Sequence, residues 1–153
     1  MDLVIDIGNT RVHLALITSE GAILNHWALP HKNAELFPAL KTFLKTQIPT
    51  PIEQAVIVSV EPTLTPKIKS AIQESLSVTC FVMDRDIHPQ IKNLTENPEH
   101  VGADRLMNSI WAIHTHPEQA VIVVSIGTAV TFDLTNHHGH FLGGAIAPGL
   151  HTG

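Results

Sequence analysis

Basic residues are few and scattered in this sequence. Nine Lys and Arg stand against fourteen Asp and Glu, a formal charge of −5 at pH 7, and no Lys/Arg block occurs anywhere along the 153 residues. A nucleic-acid backbone is normally bound by a clustered basic face, so nucleic acid is excluded as the main partner. Long apolar runs are missing as well: none approaches the roughly 20 residues of a membrane-spanning helix, so no membrane partner is expected. Cysteine is nearly absent. The single Cys80, inside the apolar run SVTCFVMD, excludes a disulfide framework, suits the cytosol and reads as a buried small hydrophobe. The opening MDLVIDIGNT carries acids where a secretory signal would carry basic residues, so a strand that begins at once, and a cytoplasmic location, are expected.

Histidine, by contrast, is plentiful, with eleven residues. The densest group, Asn136-His137-His138-Gly139-His140, reads as a hairpin tip. Metal binding needs several ligands at helix or hairpin spacing with others nearby, and no metal is assigned to this group.

The chain length suffices for one domain with a sizeable core but is short for two full α/β lobes. Leu3 to Ile7 is an apolar run interrupted by Asp6, the pattern of a central strand with a buried carboxylate near its end. RVHLALIT and AILNHWAL follow through tight connections, predicting an antiparallel meander. Asn33 is placed to cap a helix in which Leu36, Phe37, Leu40, Phe43 and Leu44 recur at helical spacing. AVIVSV (55–60) is β-branched and predicts a buried strand. Thr65-Pro66 opens a helix to Leu76, Val78 to Met83 a further strand, and Pro98 to about His114 another helix. The strands VIVVSI, TAVTFDLT and FLGGAIAPGL close the chain. The order is βββαβαβα, followed by βββ again.

The restart can be followed residue by residue. Leu3-Val4-Ile5-Asp6-Ile7-Gly8 aligns with Ile122-Val123-Val124-Ser125-Ile126-Gly127, which places Asp6 opposite Ser125. If Asn9 is dropped, Thr10 falls on Thr128 and the turn glycine Gly21 on Gly139. Together with the repeated strand order, this predicts an internal duplication, with residues 1–117 as a first lobe and 118–153 as the start of an incomplete second. Two such lobes would face one another across a cleft. A chain of this extent is expected to be marginally stable, because the second set of strands would lack covering layers.

Four stretches carry chemistry. In Asp6-Ile7-Gly8-Asn9-Thr10, turn amides and the Asn9 and Thr10 side chains can hydrogen-bond phosphate oxygens, while Asp6 can hold hydrated Mg²⁺ beside them. Ordinary turn chemistry would also explain Asn-Thr after Gly, but not an unpaired buried carboxylate. Ser125-Ile126-Gly127-Thr128-Ala129 mirrors that turn in the second copy. In Gly102-Ala103-Asp104-Arg105, small residues admit a close approach. Asp104 can take a proton from a hydroxyl, and Arg105 can hold a carboxylate or a developing phosphoryl charge. Alone, the same pair would read as a surface ion pair at a helix start. Gly143 to Gly149 (GGAIAPG) suggests a bend where a ligand or neighbouring backbone comes close.

Taken together and in this order, DIGNT, NPEHVGADR, GTAVTFD and GGAIAPG resemble the type III pantothenate kinases, and the resemblance covers nearly the whole chain. It implies an α/β, actin-like (ribonuclease H-like) duplicated fold and a homodimer. The implied reaction is ATP-dependent phosphorylation of pantothenate to 4'-phosphopantothenate, the first step towards coenzyme A, with Mg²⁺ and a monovalent cation, potassium or ammonium. Carried onto this sequence, Asp6, Ile7, Gly8, Asn9, Thr10, Arg11, Val12 and His13 form the first ATP phosphate loop, and Thr128 contacts ATP from the second lobe. Gly102, Ala103, Asp104 and Arg105 bind pantothenate, with Asp104 as catalytic base. The sequence departs from the family at two sites. Ser125 stands at the monovalent-cation position, where the family has an aspartate, and Thr95 stands where an aromatic usually contributes to the pantothenate site. It also stops shortly after the Pro-Gly bend. A catalytically impaired or regulatory relative that binds a ligand or partner, and a kinase for another small hydroxy acid, are the alternatives.

Overall fold

The structure, a computed structural model, describes residues 1–30, 36–49 and 51–149. It divides into two units, Met1–Ile87 and His88–Gly153. In the first, β1 (Asp2–Ile7), β2 (Arg11–Ile17) and β3 (Ile23–Pro30) form the expected antiparallel meander. They are followed by α1 (Leu36–Gln47), β4 (Gln54–Ser59), α2 (Thr65–Leu76) and β5 (Thr79–Val82). The sheet order is β3-β2-β1-β4-β5, with β4 parallel to both β1 and β5. Tight turns can only return a strand antiparallel, whereas α1 and α2 are the crossovers that parallel pairing requires. β1 therefore lies at the centre, as its apolar run predicts.

Period-2 alternation decides which face of β1 meets the core. Leu3, Ile5 and Ile7 are fully buried with Leu14 and Leu16 of β2, Leu40 and Leu44 of α1, and Ile68 and Ile72 of α2. Each such side chain contributes about 1.5–3 kcal/mol relative to exposure. The same alternation corrects the expectation for Asp6: it lies on the other face of β1, half-buried, with His13 and Val58 as its register neighbours. In α1, Pro38 falls in the first turn, where its missing N–H breaks no helical bond. The capping role expected of Asn33 lies outside the described residues. Cys80 is buried, and burial pushes its thiol pKa up, as befits a core residue rather than a nucleophile.

A charge cluster ties α2 to the end of β5. Asp86 Oδ2 accepts Lys69 Nζ at 2.7 Å and the Val82 N–H at 2.9 Å. Lys69 first, and then the Val82 amide, hold the Asp86 carboxyl below the usual aspartate range. A depressed carboxyl pKa contributes stability that is present above the unfolded-state value and is lost as pH falls through the folded one. Asp86→Asn should therefore lower the melting temperature at neutral pH. In acid, below the folded-state pKa, the gap from the parent should close; parallel melting curves across that range would contradict the assignment.

The second unit holds β6 (Lys92–Asn93), a 3₁₀ turn (Pro98–His100), α3 (Ala103–Thr115), β7 (Val121–Ile126), β8 (Ala129–Thr135) and β9 (His140–Pro148). Its sheet order is β6-β9-β8-β7, with β7, β8 and β9 antiparallel and the two-residue β6 parallel to β9. The helix expected from Pro98 is broken: Val101 and Gly102 are extended, and α3 begins at Ala103. The break puts Asp104 and Arg105 in a first helical turn. The α3 helix packs on β7 and β8, so these three elements belong to one unit.

The duplication is visible in the turns. The Gly8 N–H donates to Arg11 O at 3.0 Å, and the Gly127 N–H to Ala129 O at 2.9 Å. The second turn is one residue shorter, as the omission of Asn9 requires. Gly21 and Gly139, aligned in the two copies, both take the left-handed backbone, at φ +82° and +74°. The hairpin tip after β8 is organised by Asn136, whose Oδ1 accepts the N–H groups of His138 and His140, each at 3.0 Å. On the sheet face away from Ser125 and Asp133, Ile122, Val124, Ile126, Phe132 and Leu134 are 38–69 % exposed. No described helix is long and apolar enough to cross a membrane.

Candidate active site

The stretch Asp6 to His13 lies entirely in the first unit. Ile7 and Val12 are buried anchors at the two strand ends, and Gly8, Asn9 and Thr10 form the turn between them. Arg11 and Asn9 are exposed, while His13 stacks on His26, with Nδ1 and Nε2 3.2 Å apart. A carboxylate, a hydroxyl and turn amides at one strand end are a donor set that fits phosphate oxygens and a hydrated Mg²⁺.

Thr95, Gly102 to Arg105, Ser125 and Thr128 lie in the second unit. Gly102 occupies the position before α3, with φ −60° and ψ 140°, and Ala103 is buried as the helix enters the core. Asp104 thus sits where the helix dipole favours a negative charge. Its Oδ1 is buried and has no hydrogen-bond partner among the described residues, an arrangement that costs free energy unless something else meets that oxygen. Arg105 turns towards the sheet: its Nε donates to Asp133 Oδ1 at 2.7 Å. One turn beyond Asp104, Asn108 Nδ2 lies 3.3 Å from Ser125 Oγ.

Thr95 is held at the end of β6, its N–H and Oγ1 both donating to Asn93 Oδ1, at 3.1 and 2.8 Å. Its methyl lies 3.1 Å from where a Cβ on Gly143 would stand. The bend after β9 is a backbone contact: the Gly149 N–H donates to Thr128 O at 3.1 Å, and a Cβ there would collide with the carbonyl oxygens of Gly127 and Thr128. Gly144 and Gly149 of GGAIAPG therefore serve close backbone approach, one of the two uses expected of this stretch.

Three contributors escaped sequence reasoning. Asp133 carried a signal, a lone carboxylate inside the apolar strand AVTFDLT. Asn108 had a weaker one, helical spacing from Asp104. Phe141, fully buried and 5.8 Å from Arg105 Cζ, had none.

A five-stranded 3-2-1-4-5 sheet and a glycine turn repeated in a second set of strands define the actin-like fold class. Solved structures agree on the fold. A ROK family glucokinase from Streptomyces griseus, in complex with glucose and AMPPNP, superposes with a TM-score of 0.51 at 14 % identity, over 95 % of this chain and 48 % of that one. The ethanolamine utilization protein EutJ from Carboxydothermus hydrogenoformans gives 0.54 at 10 % identity, over 96 % and 51 %.

The chain belongs to the type III pantothenate kinase family, whose pattern it matches over residues 2–153. It is 35 % identical to the type III pantothenate kinase of Finegoldia magna, over 97 % of this chain and 58 % of that protein. To that of Legionella pneumophila strain Corby it is 34 % identical, over 98 % and 60 %. The chain thus spans about three-fifths of the length of these curated relatives.

Ser125, where the resemblance implies a monovalent cation, is a poor ligand for one. Ser125 brings no charge, and its hydroxyl is already engaged with Asn108; a neutral hydroxyl is a much weaker cation ligand than a carboxylate.

Proposed function

We propose that the protein carrying this sequence phosphorylates the primary hydroxyl of pantothenate with ATP, forming 4'-phosphopantothenate. Beyond family membership, the observation that carries this reading is Asp104: a carboxylate at a helix start with one buried oxygen that nothing described satisfies. A substrate hydroxyl that reached this carboxylate would give up its proton to it. In the reaction, Asp104 accepts the hydroxyl proton as the oxygen bonds to the γ-phosphorus and the bond from that phosphorus to the β,γ-bridging oxygen breaks. Arg105 binds the pantothenate carboxylate, and Gly102 and Ala103 leave room for the substrate beside it. The turn from Asp6 to His13 and Thr128 orient the phosphates, and Asp6 would hold Mg²⁺, which neutralises charge on them. Thr95 offers pantothenate a methyl and a backbone in place of an aromatic ring. Positioning supplies most of the acceleration.

The same reading extends to a cytoplasmic homodimer, to lobes divided near 117/118, and to a potassium or ammonium requirement weakened by Ser125. The test is incubation of the full-length protein with pantothenate, ATP and Mg²⁺, with and without potassium or ammonium, and mass-spectrometric detection of 4'-phosphopantothenate. Product formation is expected. Nucleotide or pantothenate binding by calorimetry with no product under either condition, or turnover of another hydroxy acid alone, would overturn the proposal.

A further inference from the structure

Asp133 has no part in the reading above, yet among the described residues it is the most deeply placed charge in the second unit. It is fully buried in β8, and Arg105 is the cation it meets: Nε donates to Oδ1 at 2.7 Å, and Nη2, with no hydrogen-bond partner among the described residues, makes an ion contact with the same oxygen. The register partner of Asp133 on β9 is Gly144. A Cβ there would stand 3.1 Å from Arg105 Nη2, so the missing side chain leaves the space that the guanidinium uses. The Phe141 ring, 5.8 Å from Cζ, adds a cation–π contact. A carboxylate, an aromatic ring and an absent side chain, from two neighbouring strands, thus hold the guanidinium of a side chain that stays 14 % exposed.

Stability is a weak explanation for this arrangement. A buried ion pair is often no better than an apolar pair of the same volume, and Asp133 Oδ2 has no hydrogen-bond partner among the described residues. Orientation is a better one. Guanidinium groups recognise carboxylates through a planar fork, and a fork held along one edge loses less freedom when the other meets a ligand.

We propose that Asp133 is a positioning residue: it holds the Nε–Nη2 edge of Arg105 so that the Nη1 end is aimed at the carboxylate of the substrate. This rests on the reading of Arg105 as the pantothenate-carboxylate contact. Its signature is selective. Asp133 should matter for a substrate that carries the carboxylate and little for one that does not.

The test compares full-length parent and Asp133→Asn on pantothenate and on its alcohol analogue, in which a hydroxyl replaces the carboxylate. The pantothenate KM should rise roughly 10- to 100-fold, as for a lost hydrogen bond to a charged group, with a much smaller change in kcat. The ATP KM and the kinetics of the alcohol should stay within about twofold. Should Asp133→Asn fail to fold, the neutral pair Arg105→Gln/Asp133→Asn is compared with Arg105→Gln alone. Equal pantothenate KM values are then expected, because Asp133 acts only through Arg105. A pantothenate KM like the parent's in Asp133→Asn would overturn the inference while leaving the proposed reaction intact. So would equal losses on both substrates, or a further rise in the double variant. A parent that does not phosphorylate pantothenate would remove both.

Discussion

Asp104→Asn is expected to lower kcat for pantothenate by about 10²- to 10⁴-fold, the usual contribution of a positioned general base. Asparagine keeps the shape of the side chain and its place in the first turn of α3, but it cannot take the hydroxyl proton. The pantothenate KM should change far less, since Arg105 and the small residues before Asp104 remain. Stability should move by no more than about 1 kcal/mol, because two modest effects oppose. Losing a negative charge at a helix start costs about 0.3–1 kcal/mol. Losing a carboxylate oxygen that is buried without a described partner gives some of that back. If Asp104 served only the helix dipole, the variant would melt slightly lower and turn over normally. Steady-state kinetics and a melting curve on the same preparation separate the two cases, and near-normal kcat would remove Asp104 from the chemistry.

Gly144→Ala should produce a large structural effect in the second unit. The new Cβ would be driven into the carbonyl oxygen of Phe132 on the neighbouring strand and towards Arg105 Nη2, at 3.1 Å. Backbone cannot rotate away as a side chain can, so β9 must shift off β8, where Asp133 faces Gly144 and Phe132 faces Ala145. Overpacking of this kind costs about 1–3 kcal/mol, and a backbone clash belongs at the upper end or above. Hydrogen exchange should localise the damage, with faster exchange at the amides of β8 and β9 and unchanged protection in β1 and β4. The guanidinium would be displaced too, so pantothenate affinity should fall together with stability. Retained β8–β9 protection and an unchanged melting temperature would show that the register described for these strands is wrong.

Much of the fold can be read from the chain because its rules are local. The apolar runs Leu3-Val4-Ile5 and Ile122-Val123-Val124 report strands, and the Gly8 and Gly127 turns report hairpins. The Thr65-Pro66 start and the Ile68/Ile72 spacing report a helix with one core face. The repeat of these signals is enough to recover the duplication, down to the omitted Asn9 and the paired left-handed glycines. Where local signals are thin, expectation failed. The helix expected from Pro98 does not begin until Ala103, because Val101 and Gly102 take extended backbone that composition alone did not reveal. The strand β6 is two residues long and pairs with a partner nearly fifty residues away in sequence, so it carries no pattern of its own.

The candidate site divides in the same way. Asp6, Asp104, Arg105 and Thr128 were marked by residue type at a turn or helix start, and the sequence alone determined the strand order that carries them and the family to which they belong. Which face of β1 Asp6 occupies was settled by packing, because the apolar face of a strand is chosen by what lies against it. The tertiary structure alone decided that Arg105 reaches Asp133, that Asn108 meets Ser125 and that Gly144 leaves space for a guanidinium. The Arg105–Asp133 contact spans 28 residues of chain and depends on α3 crossing a sheet whose strands were still to come. Such an encounter has no periodicity; it exists only once the backbone has closed around it.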